Sequence, residues 1–319
     1  MCEVSIVIPN YNGKAYLKDC LDSLLCQTEK NLDIVVVDNG SSDGSVLYVK
    51  SEYPGVRILE LGKNYGFCRA VNEGIQASDS PYVILLNNDT KAEPGFVQEL
   101  LLGIKRHPKA FSCASRMVKM KEPAKLDDGG DYYCALGWVF AYGKDKPVEY
   151  YLQERKIFSA CAGAAIYRRA VFKVIGYFDE RHFAYLEDLD MGYRAKIFGY
   201  ENWFLPKAVV HHVGSGTSGS RYNAFKVSHS SRNNIYVIYK NMPLLQMVLN
   251  LPFLLVGFLT KLIFFARRGF GREYFKGILK GFSMAEQDKK VRFQKKNFGN
   301  YCKIQLELWA NLLKLFRTP

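Results

Sequence analysis

The sequence of 319 residues predicts an α/β fold built around a mostly parallel sheet. Two observations lead to this prediction. Short apolar runs alternate with segments of helical spacing through the first 120 residues, and polar residues directly follow several of these runs. Such alternation brings successive strands together in parallel, with helices on the faces of the sheet. An apolar share of 48% and an aromatic share of 14% are sufficient for a core.

Each of the first elements is predicted by its own pattern. Runs rich in Val, Ile and Leu predict strands at 4–9, 32–38, 55–61 and 80–87. Apolar residues at helical spacing predict helices at 14–26, 43–52, 66–77 and 94–106. Ligands of parallel sheets bind at the carboxyl ends of the strands. We therefore expect one crevice to collect the polar segments at 9–12, 38–43 and 87–89.

The regular pattern stops at residues 121–156, which are polar, aromatic and rich in glycine. We interpret this segment as a long loop with a short hairpin that lines an acceptor cleft. "IFSACAGAAIYRRAVFKVIGYFDE" then predicts a strand followed by a helix. "GYENWFLP" predicts a further strand, which leads to His211 and His212.

The stretch "FAYLEDLDMGYR" at 183–194 places Glu187, Asp188 and Asp190 among large apolar side chains. Charged residues seldom occur there unless a site needs them. Carboxylates that crowd a partly apolar cleft raise one another's pKa, which suits a general base. The stretch also predicts a helix, whose first turn favours carboxylates through the helix dipole. Arg194 is spaced to pair with Asp190, in a role that can be purely structural.

Two segments contain residues that are typical of a nucleotide-binding site. In "VDNGSSDGS" at 37–45, Asp38 stands at a strand end, where it can accept from a base N–H or a ribose hydroxyl. In "NYGFCRAVNEG" at 64–74, Asn64 and Gly66 precede a helix that carries Arg69, an arrangement that can hold a diphosphate. An ordinary Asn-Gly turn and a capped surface helix are the alternatives.

A metal site is predicted where the strand at 80–87 ends in Asn87, Asn88 and Asp89. A divalent cation prefers hard oxygen ligands and keeps open positions for substrate phosphates. Asp89 offers one carboxylate, while Asn87 is a weaker neutral ligand or a ribose contact. A further ligand is therefore expected, and His212 is the candidate because imidazole suits Mn²⁺. A structural histidine is the alternative.

Together these segments resemble the family 2 glycosyltransferases, which are nucleotide-diphospho-sugar transferases of the GT-A fold. Within that family the chain is most similar to the bacterial rhamnosyltransferase and galactofuranosyltransferase-like branch. The matching segments occur in order over about two-thirds of the chain: "VSIVIPNYNG", "VDNGSSDGS", "NYGFCRAVNEG", "LLNNDT", "GAAIYRRAVFKVIGYFDERHFAYLEDLDMGYR" and "VVHHVGSGT".

The resemblance implies roles for matching positions on the donor side. Pro9, Tyr11 and Asp38 match the residues that hold the nucleotide base and ribose. Asn64 and Gly66 match the loop beside the donor.

The resemblance also implies the metal site and the base. Asp89 matches the final, metal-binding Asp of the D-x-D motif, and His212 matches a histidine that completes the metal site. Asp188, the second acid of "ED", matches the catalytic base. Asn87 replaces the first Asp of D-x-D, which weakens the site. His211 leaves the choice of ligand open, although the register favours His212.

The activity implied is transfer with inversion. Asp188 would take a proton from an acceptor hydroxyl, which attacks the anomeric carbon opposite the nucleotide, while Mn²⁺ or Mg²⁺ neutralises the departing diphosphate. Glu187 and Gly163 are expected to line the acceptor pocket. The implied donor is dTDP-rhamnose or a UDP-sugar. The implied acceptor is a glycan, expected to be lipid-linked, in cell-surface polysaccharide synthesis.

The net charge differs between the first 240 residues and the rest of the chain. Residues 1–240 carry 30 Lys and Arg against 27 Asp and Glu, whereas residues 241–319 carry 14 against 4. We predict a catalytic domain at 1–240 and a basic, amphipathic helical region at 241–319. Such a tail favours an anionic surface. Because the tail's charge lies beside apolar helical stretches, a membrane is favoured over nucleic acid, and no nucleic-acid partner is expected.

Residues 243–266 are long enough to span a bilayer, but Gln246, Asn250, Pro252 and Lys261 interrupt the apolar run. "RRGFGREYFKGILKGF" then mixes cations with Phe and Leu, as interfacial helices do. We expect the tail to lie on the inner face of the cell membrane. Packing on the catalytic domain or on a second subunit, and a single spanning helix, are the alternatives.

The eight cysteines show no C-x-x-C pair, and we interpret them as buried thiols of a reducing compartment. The first residues enter a strand without a basic or cleavable leader, so secretion by a signal peptide is not expected. A peripheral cytoplasmic location is predicted. A nucleotidyltransferase would need a Gly-rich, basic loop after the first strand, which "IPNYNGKAY" lacks. A catalytically silent membrane scaffold that binds nucleotide sugars is the remaining alternative, and it would need neither Asp89 nor Asp188.

Overall fold

The computed structural model describes residues 2–214, 222–286 and 289–317, with side chains through residue 315. Those ranges contain twelve strands and ten α-helices. The strands are β1 (Val4–Asn10), β2 (Leu32–Asp38), β3 (Arg57–Glu60), β4 (Tyr82–Leu86), β5 (Thr90–Ala92), β6 (Ala110–Lys119), β7 (Leu126–Asp128), β8 (Asp131–Cys134), β9 (Trp138–Ala141), β10 (Arg155–Ile157), β11 (Ala164–Arg168) and β12 (Glu201–His212). The helices are α1 (Lys14–Leu25), α2 (Ser45–Glu52), α3 (Phe67–Gln76), α4 (Phe96–Arg106), α5 (Arg169–Ile175), α6 (Glu187–Ile197), α7 (Ala224–Asn241), α8 (Leu244–Ala266), α9 (Gly271–Ser283) and α10 (Phe298–Arg317).

The central sheet confirms the predicted mostly parallel α/β fold. Its main order is β10-β12-β6-β11-β4-β1-β2-β3, and β5 and β7 pair with β12 and β6. Strands β3, β2, β1, β4, β6 and β12 point in one direction, and β11 and β10 run against them. The first four strands and first four helices occur where the apolar patterns predict them, to within a few residues. Their carboxyl ends therefore meet along one edge.

The segment 121–156 contains the predicted hairpin, β8–β9, but the rest of it is more ordered than a long loop. Strand β7 pairs with β6, and β10 extends the sheet along β12. Strand β6 was not predicted at all. It carries Ser and Arg among its apolar residues, so its burial depends on β11 and β12, which lie far away in the sequence.

The cysteine interpretation is partly wrong. All eight thiols are unpaired, and Cys20, Cys68, Cys113 and Cys134 are buried as expected. The side chains of Cys26 and Cys302, however, are exposed. Cys26 directly follows the end of α1, and Cys302 lies on the outward face of α10. The count and spacing of cysteines alone do not reveal this exposure.

Helix α8 has its polar face toward the protein and its apolar face outward. Among the described residues it is the helix long and apolar enough to cross a membrane. The polar positions Gln246 and Asn250 are buried, as is Gly257. Its many exposed leucines, valines and phenylalanines lie on the other side, while Pro252 is exposed as well. The interruptions in the apolar run thus belong mostly to one inward-facing stripe.

Hydrogen bonds attach this stripe to the rest of the chain. The Tyr193 hydroxyl donates to Gln246 Oε1 at 2.6 Å, and the amides of Asn250 and Gln305 exchange two hydrogen bonds, of 2.8 and 2.9 Å. Farther along, the Trp138 indole N–H donates to the Gly257 carbonyl at 3.1 Å. Helix α8 therefore lies along the protein over most of its length.

The predicted boundary at 240/241 coincides with no gap in packing. A hydrophobic cluster joins Tyr133, Phe158 and Tyr193 to Tyr301, Ile304 and Leu308 of α10. The two predicted regions therefore share one core in this structure, and α10 contributes to the support of the hairpin and of α6. The division into two domains stays a prediction.

Replacing Asn250 by Ala should lower the free energy of unfolding by about 1–3 kcal/mol, because it leaves the buried Gln305 amide without its partner. Urea unfolding in detergent micelles measures this. The control is Thr260→Ala, at an exposed position of the same helix, which should change stability by less than about 0.5 kcal/mol. Equal effects of the two changes would contradict docking of α8 through its polar face.

Candidate active site

An open cleft of about 870 Å³ lies at the carboxyl edge of the sheet. It is lined by all of the predicted site residues except Asp38 and Arg69. From the strand ends and their loops come Pro9, Asn10, Tyr11, Asn39, Asn64, Gly66, Asn87, Asn88 and Asp89. From the later part of the chain come Gly163, Phe183, Tyr185, Glu187, Asp188, His212, Phe225 and Lys226.

Asp38 is buried behind the cleft wall and organises it. One carboxylate oxygen accepts from Asn10 Nδ2 at 3.1 Å, and the other accepts from the backbone N–H groups of Gly40 and Ser41. Asn10 in turn accepts from Asn88 Nδ2 at 2.7 Å. The ends of β1, β2 and β4 are thereby held in one network, and Asn88 is occupied within it while still lining the cleft.

The loop before α3 is shaped by Asn39 and Gly66. Asn39 donates to Asn64 Oδ1 and to the Gly66 carbonyl, both at 3.1 Å, and accepts from the Tyr65 N–H. Gly66 has φ of 90°, and a Cβ there would lie 2.7 Å from the Phe183 carbonyl oxygen. Only glycine therefore allows this loop to approach the segment that precedes Asp188.

Arg69 faces away from the cleft. Its guanidinium pairs with Glu73 at 2.6 Å and with Glu180 at 3.3 Å, on the exposed side of α3. The structure thus does not bring it to the other predicted donor residues. Sequence spacing placed it on the first turn of the helix, but it could not tell which side of that turn faces the cleft.

Asp89 and His212 meet at one end of the cleft. His212 Nε2 lies 3.2 Å from Asp89 Oδ1, and Nδ1 lies 2.6 Å from Asp127 Oδ2. His211, on the other face of β12, contacts Glu93 instead. His212, not His211, therefore faces Asp89. Residues 215–217, which belong to the same matching sequence segment, lie outside the described residues.

The charge around His212 favours a cation. Burial lowers the pKa of His212, but the hydrogen bonds that its ring N–H groups donate to Asp127 and Asp89, with the charges of these carboxylates, outweigh this and raise the pKa to about 9. Asp127 also accepts from Lys144 Nζ at 2.9 Å. A carboxylate on the second imidazole nitrogen fixes the tautomer and orientation of a metal-binding histidine. Sequence reasoning missed Asp127, although "LDDGGD" carries three carboxylates around a Gly-Gly turn.

The two candidate protein ligands, Asp89 and His212, fit a divalent cation that takes most of its ligands from the substrate. A separation of 3.2 Å is close to the roughly 3 Å expected between neighbouring ligands with bonds of about 2.1 Å. Across the described ranges, however, no group of three or more His, Cys, Asp or Glu side chains is arranged to hold a metal. Two protein ligands leave most of a coordination shell to phosphate oxygens and water.

Asp188 and Glu187 open α6 at the opposite side of the cleft. Burial raises the pKa of Asp188 well above its usual range, and the charges of Glu187 and Asp131 raise it further. Asp188 Oδ1 and Glu187 Oε2 are shielded from solvent and make no hydrogen bond to any described residue. A carboxylate with an uncommitted oxygen and a raised pKa is suited to accept a proton from a hydroxyl group.

The segment before Asp188 has an unusual backbone. Phe183, Tyr185 and Leu186 have φ of 61°, 73° and 65°, a region that L-residues seldom occupy and that costs of the order of 1–3 kcal/mol each. Asn233 of α7 holds this segment. Its buried Nδ2 donates to the carbonyls of His182, Ala184 and Tyr185, at 3.0, 2.9 and 2.7 Å. Such strain is concentrated at functional sites.

Two further carboxylates approach the base from the hairpin region. Burial raises the pKa of Asp128 to about 6 and that of Asp131 well above its usual range, and each raises the pKa of Asp188 through its charge. They come from the segment that sequence reasoning assigned to a loop. The surroundings of Asp188 therefore contain more carboxylates than the acids at 187–190 alone indicate.

Behind α6 lies a compensated set of buried charges. Asp190 accepts from Arg194 at 2.7 Å, from Lys240 at 3.0 Å and from Asn241 at 2.8 Å. His182 is fully buried beside them, with its Nε2 3.9 Å from Asp190 Oδ2. Neither ring nitrogen makes a hydrogen bond to the residues that the structure describes. The expected pairing of Asp190 with Arg194 is present, and this Asp, unlike Asp188, points away from the cleft.

His182 should make the fold sensitive to acid. Burial lowers its pKa to about 4, so the unfolded chain binds a proton near pH 6.5 that the native chain does not bind. Its contribution to stability is present above pH 6.5 and is lost between about pH 6.5 and 4, by up to about 1.4 kcal/mol per pH unit. The free energy of unfolding, measured with urea at several pH values, should fall less steeply below about pH 6.5 in His182→Phe than in the unmodified chain. This fall below pH 6.5 is the acid limb of the curve.

The control for this prediction is His107→Phe, which keeps the ring stacked on Trp203 at the surface. It should retain the acid limb of the unmodified chain. Parallel curves for the unmodified chain and His182→Phe would show that His182 is not buried in its neutral form.

Comparisons with known proteins agree with this geometry. A rhamnosyltransferase of Mycobacterium tuberculosis, N-acetylglucosaminyl-diphospho-decaprenol L-rhamnosyltransferase, is 29% identical over 253 residues, which cover 71% of this chain and 81% of that protein. The glycosyltransferase GlyA of Streptococcus pneumoniae is 37% identical over 101 residues, 31% of this chain and 14% of that protein.

Two solved structures share the fold. A mannosyltransferase of Pyrobaculum calidifontis in complex with GDP-Man and Mn²⁺ is similar with a TM-score of 0.54 at 13% identity, over 90% of this chain and 88% of that one. GalNAc-T7 with UDP, GalNAc and Mn²⁺ gives a TM-score of 0.60 at 16% identity, over 75% of this chain and 48% of that one. The family model for glycosyl transferase family 2 matches residues 5–176, more than half of the chain. This chain therefore belongs to glycosyl transferase family 2.

Proposed function

We propose that the protein moves a sugar from a nucleotide-diphospho-sugar to a hydroxyl of a lipid-linked glycan, with inversion at the anomeric carbon. One observation carries this proposal. The Asp188 carboxylate, with an uncommitted oxygen, and the Asp89–His212 pair occupy the same cleft. A base on one side and an anchor for the leaving group on the other suit an in-line displacement.

Relatives support the substrate classes. The M. tuberculosis protein acts, by its name, on a diphospho-decaprenol-linked N-acetylglucosamine. The two solved structures of the same fold contain UDP or GDP-Man together with Mn²⁺. For this chain we propose dTDP-rhamnose or a UDP-sugar as donor and cell-surface polysaccharide as the pathway's product.

In the proposed reaction Asp188 accepts the proton of the acceptor hydroxyl as its oxygen bonds to the anomeric carbon. The bond from that carbon to the diphosphate oxygen breaks, and the electron pair leaves with the nucleoside diphosphate. Attack opposite the leaving group inverts the configuration. Glu187 and Asp131 keep Asp188 basic, and Asn233 holds the preceding segment so that the carboxylate faces the acceptor.

Asp89 and His212 would hold a divalent cation, with Asp127 orienting the imidazole. When bound, such a cation supplies neutralisation of the negative charge on the departing diphosphate. Pro9, Tyr11 and Asn64 line the end of the cleft that would receive the nucleotide. Phe183, Tyr185 and Phe225 offer ring faces on the way to Asp188, which suits the apolar faces of a sugar.

We further propose that α8 lies on the inner face of the cell membrane, partly embedded in it. Its outward face is apolar, and its inward face is hydrogen-bonded to the domain along most of its length. Because one face is docked on the protein, lipid cannot surround the helix as it surrounds a single spanning helix. The exposed Phe275, Leu279 and Phe282 extend this apolar surface onto α9. The 14 Lys and Arg against 4 Asp and Glu at 241–319 suit anionic lipid.

Donor turnover tests the activity. A panel of UDP-, dTDP- and GDP-sugars with Mn²⁺ or Mg²⁺ should give metal-dependent hydrolysis of one donor. Asp89→Ala should abolish it, because the chain keeps only one metal ligand. Asp188→Asn should slow hydrolysis, and transfer to an acceptor, by about 10²–10⁴-fold, which is the usual contribution of a general base.

The matched control is Asp79→Asn, at an exposed carboxylate remote from the cleft, which should be fully active. An undiminished rate in Asp188→Asn would remove Asp188 from the mechanism. Binding of a donor without turnover, even in the presence of acceptor, would instead support the catalytically silent scaffold. Absence of both turnover and binding for every donor would contradict the proposed transferase.

Membrane attachment is tested with Leu255→Glu combined with Leu259→Glu, two exposed positions on α8. Flotation with phosphatidylglycerol liposomes should show at least a tenfold loss of the bound fraction, because each leucine contributes about 1.5–3 kcal/mol when buried in lipid. Leu47→Glu, at an exposed leucine of α2, should float like the unmodified protein. Equal flotation of all three proteins would contradict attachment through α8.

A further inference from the structure

A second cavity, of about 340 Å³, adjoins the active cleft. The two share Tyr185, Leu186 and Lys226, so the cavity opens next to the residues that immediately precede Glu187 and Asp188. Its other walls come from the hairpin turn at Gly137 and Val139 and from helices α7, α8 and α9. The roles proposed for the residues of the active cleft do not account for this cavity.

The lining of this cavity is cationic and rich in donors. Lys226 and Lys261 line it, and no carboxylate does among the described residues. No described Asp or Glu lies within 4.0 Å of Lys261 Nζ. Lys261 Nζ lies over the Trp138 ring, 5.8 Å from its centroid. Burial lowers the pKa of Lys261 to about 8, as expected for an ammonium group without a counter-charge.

Tyr274 provides a second, independent observation. It is 2% exposed, its hydroxyl makes no hydrogen bond to any described residue, and it lines the cavity. A buried hydroxyl is seldom left unpaired unless a ligand or water completes it. A donor hydroxyl and an uncompensated ammonium that line the same cavity are suited to an anion, and phosphate oxygens accept from both.

The cavity also adjoins the apolar surface proposed to meet the membrane. Lys261 and Phe265 reach it from the last turns of α8, and Tyr274 reaches it from α9. The outward face of α8 carries exposed leucines such as Leu255 and Leu259. The cavity therefore lies between the last turns of α8 and the residues that precede Asp188.

We infer that this cavity binds the diphosphate of the lipid-linked acceptor, with Lys261 and Tyr274 as its specific partners and the lipid chain leaving along α8. This inference rests on the proposed function, whose acceptor it describes further. A glycan attached to that diphosphate would extend through the shared opening at Tyr185 and Leu186 toward Asp188. Lys226, which lines both cavities, stands where the diphosphate meets the first sugar.

The experiment measures binding directly and does not require turnover. Trp138 lies beside Lys261, so its fluorescence reports on the cavity in a full-length chain with Trp203→Phe and Trp309→Phe. The probe is farnesyl diphosphate, titrated in detergent micelles with EDTA to exclude metal-dependent binding in the donor cleft. Farnesol serves as the uncharged comparison, and phosphatidylglycerol serves as the phospholipid competitor.

Lys261→Met should raise the Kd for farnesyl diphosphate at least tenfold, Tyr274→Phe should raise it severalfold, and Lys261→Arg should restore binding. Farnesol binding should not change. The control Lys276→Met, at an exposed lysine of α9, should bind farnesyl diphosphate like the parent chain. Donor hydrolysis should be unaffected in all of these variants, since none lies in the donor half of the active cleft.

Equal affinity of Lys261→Met and the parent chain would overturn the inference, even if donor hydrolysis supports the proposed transferase. Displacement of the probe by phosphatidylglycerol at matched concentration would also overturn it, because the pocket would then serve a membrane phospholipid. Selective, Lys261-dependent binding of the diphosphate would support the inference. If donor turnover failed at the same time, the proposed function would be lost and the cavity would be a site for a lipid diphosphate that is not a transferase acceptor.

Discussion

The buried carboxylate of Asp190 is the interaction on which the catalytic half of this protein depends. It accepts from Arg194, Lys240 and Asn241, and Arg194 donates in turn to the carbonyls of Ile175, Gly176 and Tyr177. Burial alone would raise the pKa of Asp190, but the two cations hold it far below the usual range. Removing one partner of such a buried set costs about 3–5 kcal/mol. One side chain thus fixes α6, α7 and the chain after α5 relative to one another.

Two acids of one helix therefore have different surroundings. Asp190 faces inward, where its charge is fully compensated, and Asp188 faces the cleft, where its neighbours are other carboxylates. A helix places residues two positions apart on different faces, so α6 separates the compensated acid from the acid that we propose as the base. Asn233 completes the design from α7 by holding the strained segment at 183–186.

The same helices join the active cleft to the surface that we propose to lie on the membrane. Helix α7 contacts the segment before the base on one side and the cavity beside α8 on the other. The amphipathic pattern of helix α8 is opposite to that of a surface helix of a soluble protein, since its polar stripe is buried and its leucines are exposed. An amphiphilic acceptor would be bound by both surfaces at once, with its lipid on α8 and its phosphates between α7, α8 and α9.

The sequence by itself determined the first half of the sheet, because β1 to β4 are continuous apolar runs and their polar ends have to meet at one edge. It also indicated Asp89, Asp188 and His212, since each is a potential ligand or base that directly adjoins an apolar segment. Tertiary structure decided what depended on distant partners. Strand β6 and the roles of Asp127 and Asn233 depend on contacts with residues that are distant in the sequence, so no local pattern predicts them. Likewise, only packing could show that Arg69 faces solvent and that Gln246 and Asn250 share the buried face of α8. A linear pattern gives the period of a helix, whereas the direction of each face is set by what packs against it.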